Sequence, residues 1–451
     1  MWFRQDLRLA DNPALHAAIT EHVPVIAVYI WSPEEEGEWA PGSASRWWLH
    51  QSLKALDQQL RKRHSRLILT RGRAADVLRE MVSETGATAI YWNKRYEPAA
   101  IRASRAVTRA MRALQLLTAE FNGSLLADPA TVLNQSGKPY QVYTAFQRSL
   151  LHTLDPEPPL AAPRELPAPA RWPRSLSLGS YGLLPRIHWY ETIAPNWQPG
   201  EEGARASLRR FVTQSLPAYR AARDIPAIEG TSRLSPHLHF GEISPRQIWH
   251  ALGSRGRASV FLREILWREF AYHLLHHFPH TASHPLRPQF ACFPWRRGRA
   301  QLRRWQQGAT GVPLVDAGMR QLWSSGWMHN RIRMITGSFL VKNLRIDWLE
   351  GARWYWDTLV DADLANNTLN WQWVAGCGAH AAPYFRVFNP FTQAKRFDPD
   401  HVYVKRWIPE LREGSSVSYP GPIVDFAKSR AAALQAYESL RRAGHKRSGL
   451  S

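Results

Sequence analysis

Only two cysteines, Cys292 and Cys377, occur in the 451 residues. They allow neither a disulfide framework nor a CxxC metal signature, so the chain is expected to fold in a reducing compartment on packing alone. No run of about 18 apolar residues is present, and the first residues lack a basic stretch followed by an apolar one. These absences predict no membrane span, no secretory leader and a cytoplasmic protein. GxGxxG and Walker motifs are missing too, which removes the usual sequence signs of a nucleotide phosphate loop. Acids are scarce, 37 against 58 Lys and Arg, for a formal net charge of +21. That excess suits a polyanionic partner, with nucleic acid favoured over a basic surface that is merely soluble. Twenty-one tryptophans add large aromatics able to stack bases, although most are expected in the core.

The length predicts two domains. Across 1–130, short apolar runs at 23–31, 65–72 and 87–93 alternate with helical stretches at 44–63 and 98–117, a pattern that predicts a parallel α/β sheet. Such sheets bind ligands at the carboxyl ends of their strands, which places Arg4, Asp6, Tyr96 and Glu97 near a candidate site. Prolines crowd within 131–195 and predict an extended interdomain connector wrapping the surface. From 196 to 451 helical periodicity dominates, at 204–214, 245–252, 259–277, 311–324, 329–342, 351–359 and 425–443.

Four stretches concentrate unusual chemistry. GTSRLSPHLHFGEISP (230–245) sets Thr231, Ser232 and Ser235 before a helix, where hydroxyls and free amides can hold an anion or simply cap the helix. In FLREILWREFAYHLLHH (261–277), Glu264, Trp267 and Arg268 share one helix face, either around a ligand or as an i,i+4 salt bridge beside a packed ring. His273, His276 and His277 lack a completing acid or cysteine and are expected not to bind metal. Between 311 and 340, Trp327, Asn330, Arg331 and Met334 form a mixed stripe at helical spacing, with Arg333 off it and free to pair with Asp361 or Asp363. DADLANNTLNWQWVAGCGAHAAPYFRVFNP (361–390) combines acids, adjacent amides, tryptophans and small residues, suited to a flat, polar-edged ligand or a tight interior turn.

These stretches, with WFRQDLRLADNPAL at the start, LREILWREF and VDAGMRQLWSSGWMHNRIRMITGSFLVK, resemble the DNA photolyase and cryptochrome flavoproteins over essentially the whole chain. The resemblance implies a Rossmann-like α/β antenna domain followed by an all-α domain that holds FAD. It also implies a monomer acting on UV-damaged DNA. By the same resemblance Tyr219, Thr231, Ser232, Leu234 and Ser235 would line the FAD diphosphate and ribitol, while Trp327, Asn330, Arg333, Asp361 and Asp363 would contact the rest, with Arg333 pairing to Asp361. Asn367 would face the flavin N5, where a neutral amide hydrogen-bonds without delivering a proton. Glu264, Trp267, Arg331, Met334 and Trp373 would receive a flipped-out pyrimidine dimer, and Trp371, Trp348 and Trp295 would relay electrons to oxidised flavin.

Within the family, Met334 stands where (6-4) enzymes carry a histidine, favouring cyclobutane-dimer repair driven by an electron from photoexcited reduced FAD. A signalling cryptochrome is the competing class; those members often extend beyond their last helix. Glu97 resembles a contact for a methenyltetrahydrofolate antenna, with deazaflavin, a second flavin or no antenna as alternatives. Three departures from the family pattern stand out: a short first strand, His380 where relatives carry Asp, and Asn370 where many have Gly. A histidine can accept a hydrogen bond in a carboxylate's place only while neutral.

Overall fold

The computed structural model describes residues 1–20, 23–253, 260–379, 386–412, 414–415 and 417–448, with side chains through 442. His380 lies outside the described residues, as does much of the tail of the 361–390 stretch.

Strands β1 (Trp2–Phe3), β2 (Ala27–Trp31) and β3 (Leu67–Arg71) form one parallel sheet, with β2 central; β4 (Ala89–Asn93) and β5 (Leu117–Phe121) pair in parallel as a second. Every residue of β2 is buried because both faces are covered. Its alternation sorts the side chains: Val28 and Ile30 join Trp2, Ile68 and Trp92 beneath the Ala74–Thr85 and Pro98–Arg112 helices, whereas Tyr29 and Trp31 pack with Phe3 and with Trp47 and Trp48 of the Ser43–Arg61 helix. β1 lies beside β4, with the Trp2 and Trp92 rings 5.8 Å apart. Just past β1 the Arg4 guanidinium, rather than a backbone amide, donates to the Asn93 carbonyl.

Two expectations for this half need correction. The Pro98–Arg112 helix stops short of 117, because Gln115 adopts a left-handed φ of 55° and the chain re-enters as β5. The 131–195 segment is not uniformly extended, since Tyr143–Thr153 is a helix whose Tyr143, Phe146 and Leu150 pack into the helical core. The rest of the segment straps the sheet. Leu176 N donates to Leu69 O at 2.7 Å, and the Tyr181 hydroxyl donates to Thr70 O at 2.8 Å.

The helical half surrounds the largest core, which includes Trp305, Ile332, Phe339, Trp371 and Tyr403. The two halves are joined by buried polar contacts. Arg8 donates to Gly241 O at 2.9 Å; Trp48 Nε1 donates to Glu242 at 2.9 Å; and Asp11 takes Ser244 and Arg246. Gly241 has φ of 64°, and a Cβ there would stand 2.1 Å from Gln5 O, so the closeness of the halves demands glycine. Among the described residues no helix is long and apolar enough to cross a membrane.

Candidate flavin and lesion site

The 361–390 stretch contains the Leu364–Ala375 helix rather than an irregular turn. Asp363 caps it by accepting from Asn366 N at 2.9 Å and Asn366 Nδ2 at 2.8 Å, and Gly376 ends it with φ of 87°. Asn366 is thereby committed to the cap. Its neighbour Asn367 donates through Nδ2 to Ala352 O at 3.1 Å, while Oδ1 accepts nothing among the described residues. The helix hides from periodicity because Ala365, Thr368, Leu369, Trp371, Gln372 and Ala375 bury several of its sides, leaving no clean apolar stripe.

Ser235, Arg333 and Asp361 meet at the entrance to this helix. Arg333 Nη2 lies 2.8 and 3.1 Å from the two Asp361 carboxylate oxygens, and Ser235 Oγ donates to Asp361 at 2.6 Å. Arg333 Nε is fixed by Met328 O at 2.8 Å. Asp363 instead takes the Tyr272 hydroxyl and faces His239 Nδ1 at 3.7 Å, beyond hydrogen-bond length. Burial alone would raise the Asp363 carboxyl, but His239, Arg268 and Tyr272 together outweigh it and hold the group well below the usual carboxylate range.

The 230–235 loop brings Thr231, Ser232 and buried Leu234 beside this group, with Leu234 N donating to Ser232 Oγ at 3.3 Å. The Ser235–His239 helix behind it is only five residues long and carries Pro236, which has no N–H, so the hydroxyls and Arg333 must dominate any anion binding. Tyr219 is buried against Phe211 and Phe261, with ring centroids at 5.5 and 5.4 Å. Trp327 sits in the turn before the Asn330–Ser338 helix, sandwiched against Arg233 at 5.0 Å, and so does not share a helical stripe with Asn330, Arg331 and Met334. Asn330 opens that helix, is exposed, and makes no side-chain hydrogen bond among the described residues. Hydroxyls, a guanidinium held by a buried acid, and a carboxamide with an open carbonyl are the donor and acceptor set that a flavin with its diphosphate needs, so these residues fit FAD.

Of the proposed electron-relay residues, Trp371 and Trp348 are each 3% exposed, while Trp295 is half-buried. Trp371 stacks edge-on to Tyr355 at 4.9 Å and occupies a slot opened by Gly351, whose Cβ would stand 2.1 Å from the indole. Trp348 opens the Trp348–Thr358 helix, which packs on the Leu364–Ala375 helix; Arg296 N donates to Arg345 O at 2.7 Å and pins Trp295 beside that turn.

Of the residues expected to receive a lesion, Glu264, Arg331 and Met334 are joined through Arg223 and Asp224, with different partners from those anticipated. Glu264 and Arg268 do not pair. Glu264 accepts from Arg223 Nη1 at 2.6 Å, and Arg268 is buried and donates to Ser124 O at 2.9 Å. Arg331 Nη2 lies 2.7 Å from Asp224, with Nη1 3.8 Å from Met334 Sδ and the guanidinium 4.6 Å over Phe397. Trp267 is half-buried with Tyr143 against one face, and Trp373 is half-buried beside Phe388 at 6.3 Å. Trp371 and Trp373, two apart on one helix, therefore serve core and rim respectively. Arg223, Asp224 and Tyr143 escaped sequence reasoning because nothing local marks them; each acts through a partner far away in the chain.

Near the α/β half, Arg4 and Glu97 line a cavity of about 380 Å³ together with Trp39, Arg95, His239 and Leu364. Asp6 and Tyr96, anticipated beside them, do not; Asp6 is spent on Asn93 Nδ2 at 2.6 Å. Glu97 precedes the Pro98–Arg112 helix without capping it. Its carboxylate is 4% exposed, and Oε2 has no hydrogen-bond partner, only Arg95 Nε at 3.3 Å. His273 accepts from Tyr140 N at 3.0 Å and His277 contacts Pro129 O, so both serve packing; among the described residues no group of three His, Cys, Asp or Glu is arranged for a metal ion.

Residues 1–169 match the family model of DNA photolyase, and residues 261–439 that of the FAD binding domain of DNA photolyase. Fold and site thus define the class in which an α/β module docks on a helical flavin-binding module. The chain belongs to the DNA photolyase family. It is 45% identical to a deoxyribodipyrimidine photo-lyase of Agrobacterium fabrum, covering 98% of both chains. It is also 37% identical to Cryptochrome-1 of Arabidopsis thaliana over 91% of this chain and 62% of that protein. The crystal structure of a bacterial class III photolyase from Agrobacterium tumefaciens is similar with a TM-score of 0.93 at 44% identity, covering 98% of this chain and 97% of that one.

Proposed function

We propose that this protein repairs cyclobutane pyrimidine dimers in DNA, using light and FAD. The observation that carries the reading is Met334, a thioether held 3.8 Å from Arg331 at the rim of the pocket, where a (6-4) enzyme would need a histidine to exchange protons. When bound, reduced FAD supplies the photoexcited electron that opens the cyclobutane ring and is then returned. The chain's own residues do the rest. Trp267 and Trp373 offer apolar ring surface to the extruded bases, Glu264 accepts from a base edge, and Arg331 supplies a cation. Asn367 Oδ1 would be available to accept a hydrogen bond from the flavin, and Trp371, Trp348 and Trp295 would supply electrons to it when it is oxidised.

The cavity containing Glu97 takes a light-harvesting chromophore. Its volume lies within the roughly 300–1,000 Å³ of small-molecule sites, and the buried Glu97 carboxylate, held by Arg95, would give a ring N–H such as that of methenyltetrahydrofolate or a deazaflavin an acceptor.

The decisive experiment illuminates flavin-loaded, reduced protein with an oligonucleotide carrying one cyclobutane dimer, and in parallel with one carrying a (6-4) lesion. Loss of the first lesion alone is expected. No loss of either, with reduced FAD bound, would assign the chain to photoreception, the role suggested by its identity to Cryptochrome-1.

A further inference from the structure

The lesion pocket is charge-balanced by two consecutive residues that precede it in the chain by a long way. Arg223 pairs with Glu264 at 2.6 Å and Asp224 with Arg331 at 2.7 Å, while Arg223 and Asp224 stand 3.9 Å apart. Two cations and two carboxylates therefore close on themselves within a protein whose formal charge is +21. A pocket with a free arginine would attract any phosphate, damaged or not, and non-specific binding to duplex is almost wholly electrostatic. The Asp224 and Arg331 side chains are 36% and 21% exposed, a range in which an ion pair is weak and readily exchanged for another anion. Arg331 does not depend on Asp224 for its position, because Phe397 and Met334 hold the guanidinium from other sides.

We propose that Asp224 is a specificity-determining residue that occupies Arg331 until a DNA lesion enters the pocket and displaces it. This rests on the DNA-repair reading above. Arg331 is then unavailable to intact duplex, and only DNA pushed deep enough to reach Glu264 and Met334 gains its charge.

The test measures equilibrium binding of the flavin-loaded protein to an undamaged duplex, and to the same duplex with one cyclobutane dimer, over a range of salt. For Asp224→Asn, affinity for undamaged duplex is expected to rise about 3–10-fold and its log–log salt slope to steepen by about 0.9, the increment for one more phosphate contact. Lesion affinity should change less, so discrimination falls. An unchanged slope on undamaged duplex overturns the proposal. Should Asp224→Asn fail to retain flavin, the charge-balanced pair Asp224→Asn with Arg331→Gln decides: parental binding to undamaged duplex with weakened lesion binding supports the gate, whereas equal weakening of both overturns it. These readouts need no light, so failure of dimer repair and failure of the gate are distinguishable.

Discussion

Tyr143 lies face to face with Trp267, their ring centroids 3.6 Å apart and their planes 7° from parallel. The tyrosine comes from the segment linking the two halves and is anchored by its hydroxyl to Arg263 O at 3.0 Å. One face of Trp267 is thus covered by Tyr143. Such ring pairs contribute about 0.5–1.5 kcal/mol beyond area burial. Tyr143→Leu is therefore expected to weaken binding of a dimer-containing duplex by about 2–10-fold while leaving flavin content intact. Tyr143→Phe should keep most of the affinity. Unaltered lesion binding in the leucine variant would show that Trp267 needs no backing.

Arg333 pairs with a buried Asp361, which also takes Ser235. Removing one member of a buried pair leaves the other uncompensated, at a cost of about 3–5 kcal/mol. Asp361→Asn should lower the melting temperature of the flavin-free protein as well as its capacity to retain FAD through gel filtration. If the variant purifies with full flavin and an unchanged melting temperature, the pair does not frame the site.

Trp371 is expected to be the first donor to oxidised flavin. In Trp371→Phe, photoreduction under blue light with an external reductant should slow steeply, while repair by chemically reduced enzyme stays near the parental rate. The smaller ring leaves space in the slot opened by Gly351, and a stability loss of about 0.5–3 kcal/mol is expected. Photoreduction at the parental rate would remove Trp371 from the relay.

How much of this was legible beforehand depended on whether a residue's partner was local. The continuous apolar run that contains β2 and the long, apolar-rich stretch of the Val260–His277 helix are local patterns, and both elements were anticipated within a few residues. β5 was not, because residues 113–117 extend the apolar spacing of the preceding helix and only the backbone of Gln115 breaks it. The Leu364–Ala375 helix was missed because its buried polar residues imitate a loop. Residue chemistry alone left Arg333 between Asp361 and Asp363, and the family resemblance chose Asp361; Tyr272 and His239, which occupy Asp363, give the physical reason. The partners of Glu264 and Arg331 were unreadable, since Arg223 and Asp224 lie in a short turn with no periodicity or motif.

Glu269 offers a test that needs no ligand. It is 3% exposed, accepts from Leu126 N at 2.9 Å and Ala127 N at 3.3 Å, and leaves Oε1 without a hydrogen-bond partner, Arg268 being 3.8 Å away. Burial raises its carboxyl from an ordinary 4.5 to about 7, against the opposing pull of Arg268 and the two amides. The folded state therefore holds this proton more tightly than the unfolded chain. Its stabilising contribution is complete below about pH 4.5 and is lost as pH rises through 7, a span on the order of 3 kcal/mol at 1.36 kcal/mol per unit. Glu269→Gln keeps an acceptor for both amides and removes the titration. Denaturant unfolding between pH 5 and 8.5 should show the parent losing stability relative to the variant as pH rises, with the gap largest above 7. A gap that does not change across that range would mean that Glu269 titrates as an ordinary carboxylate.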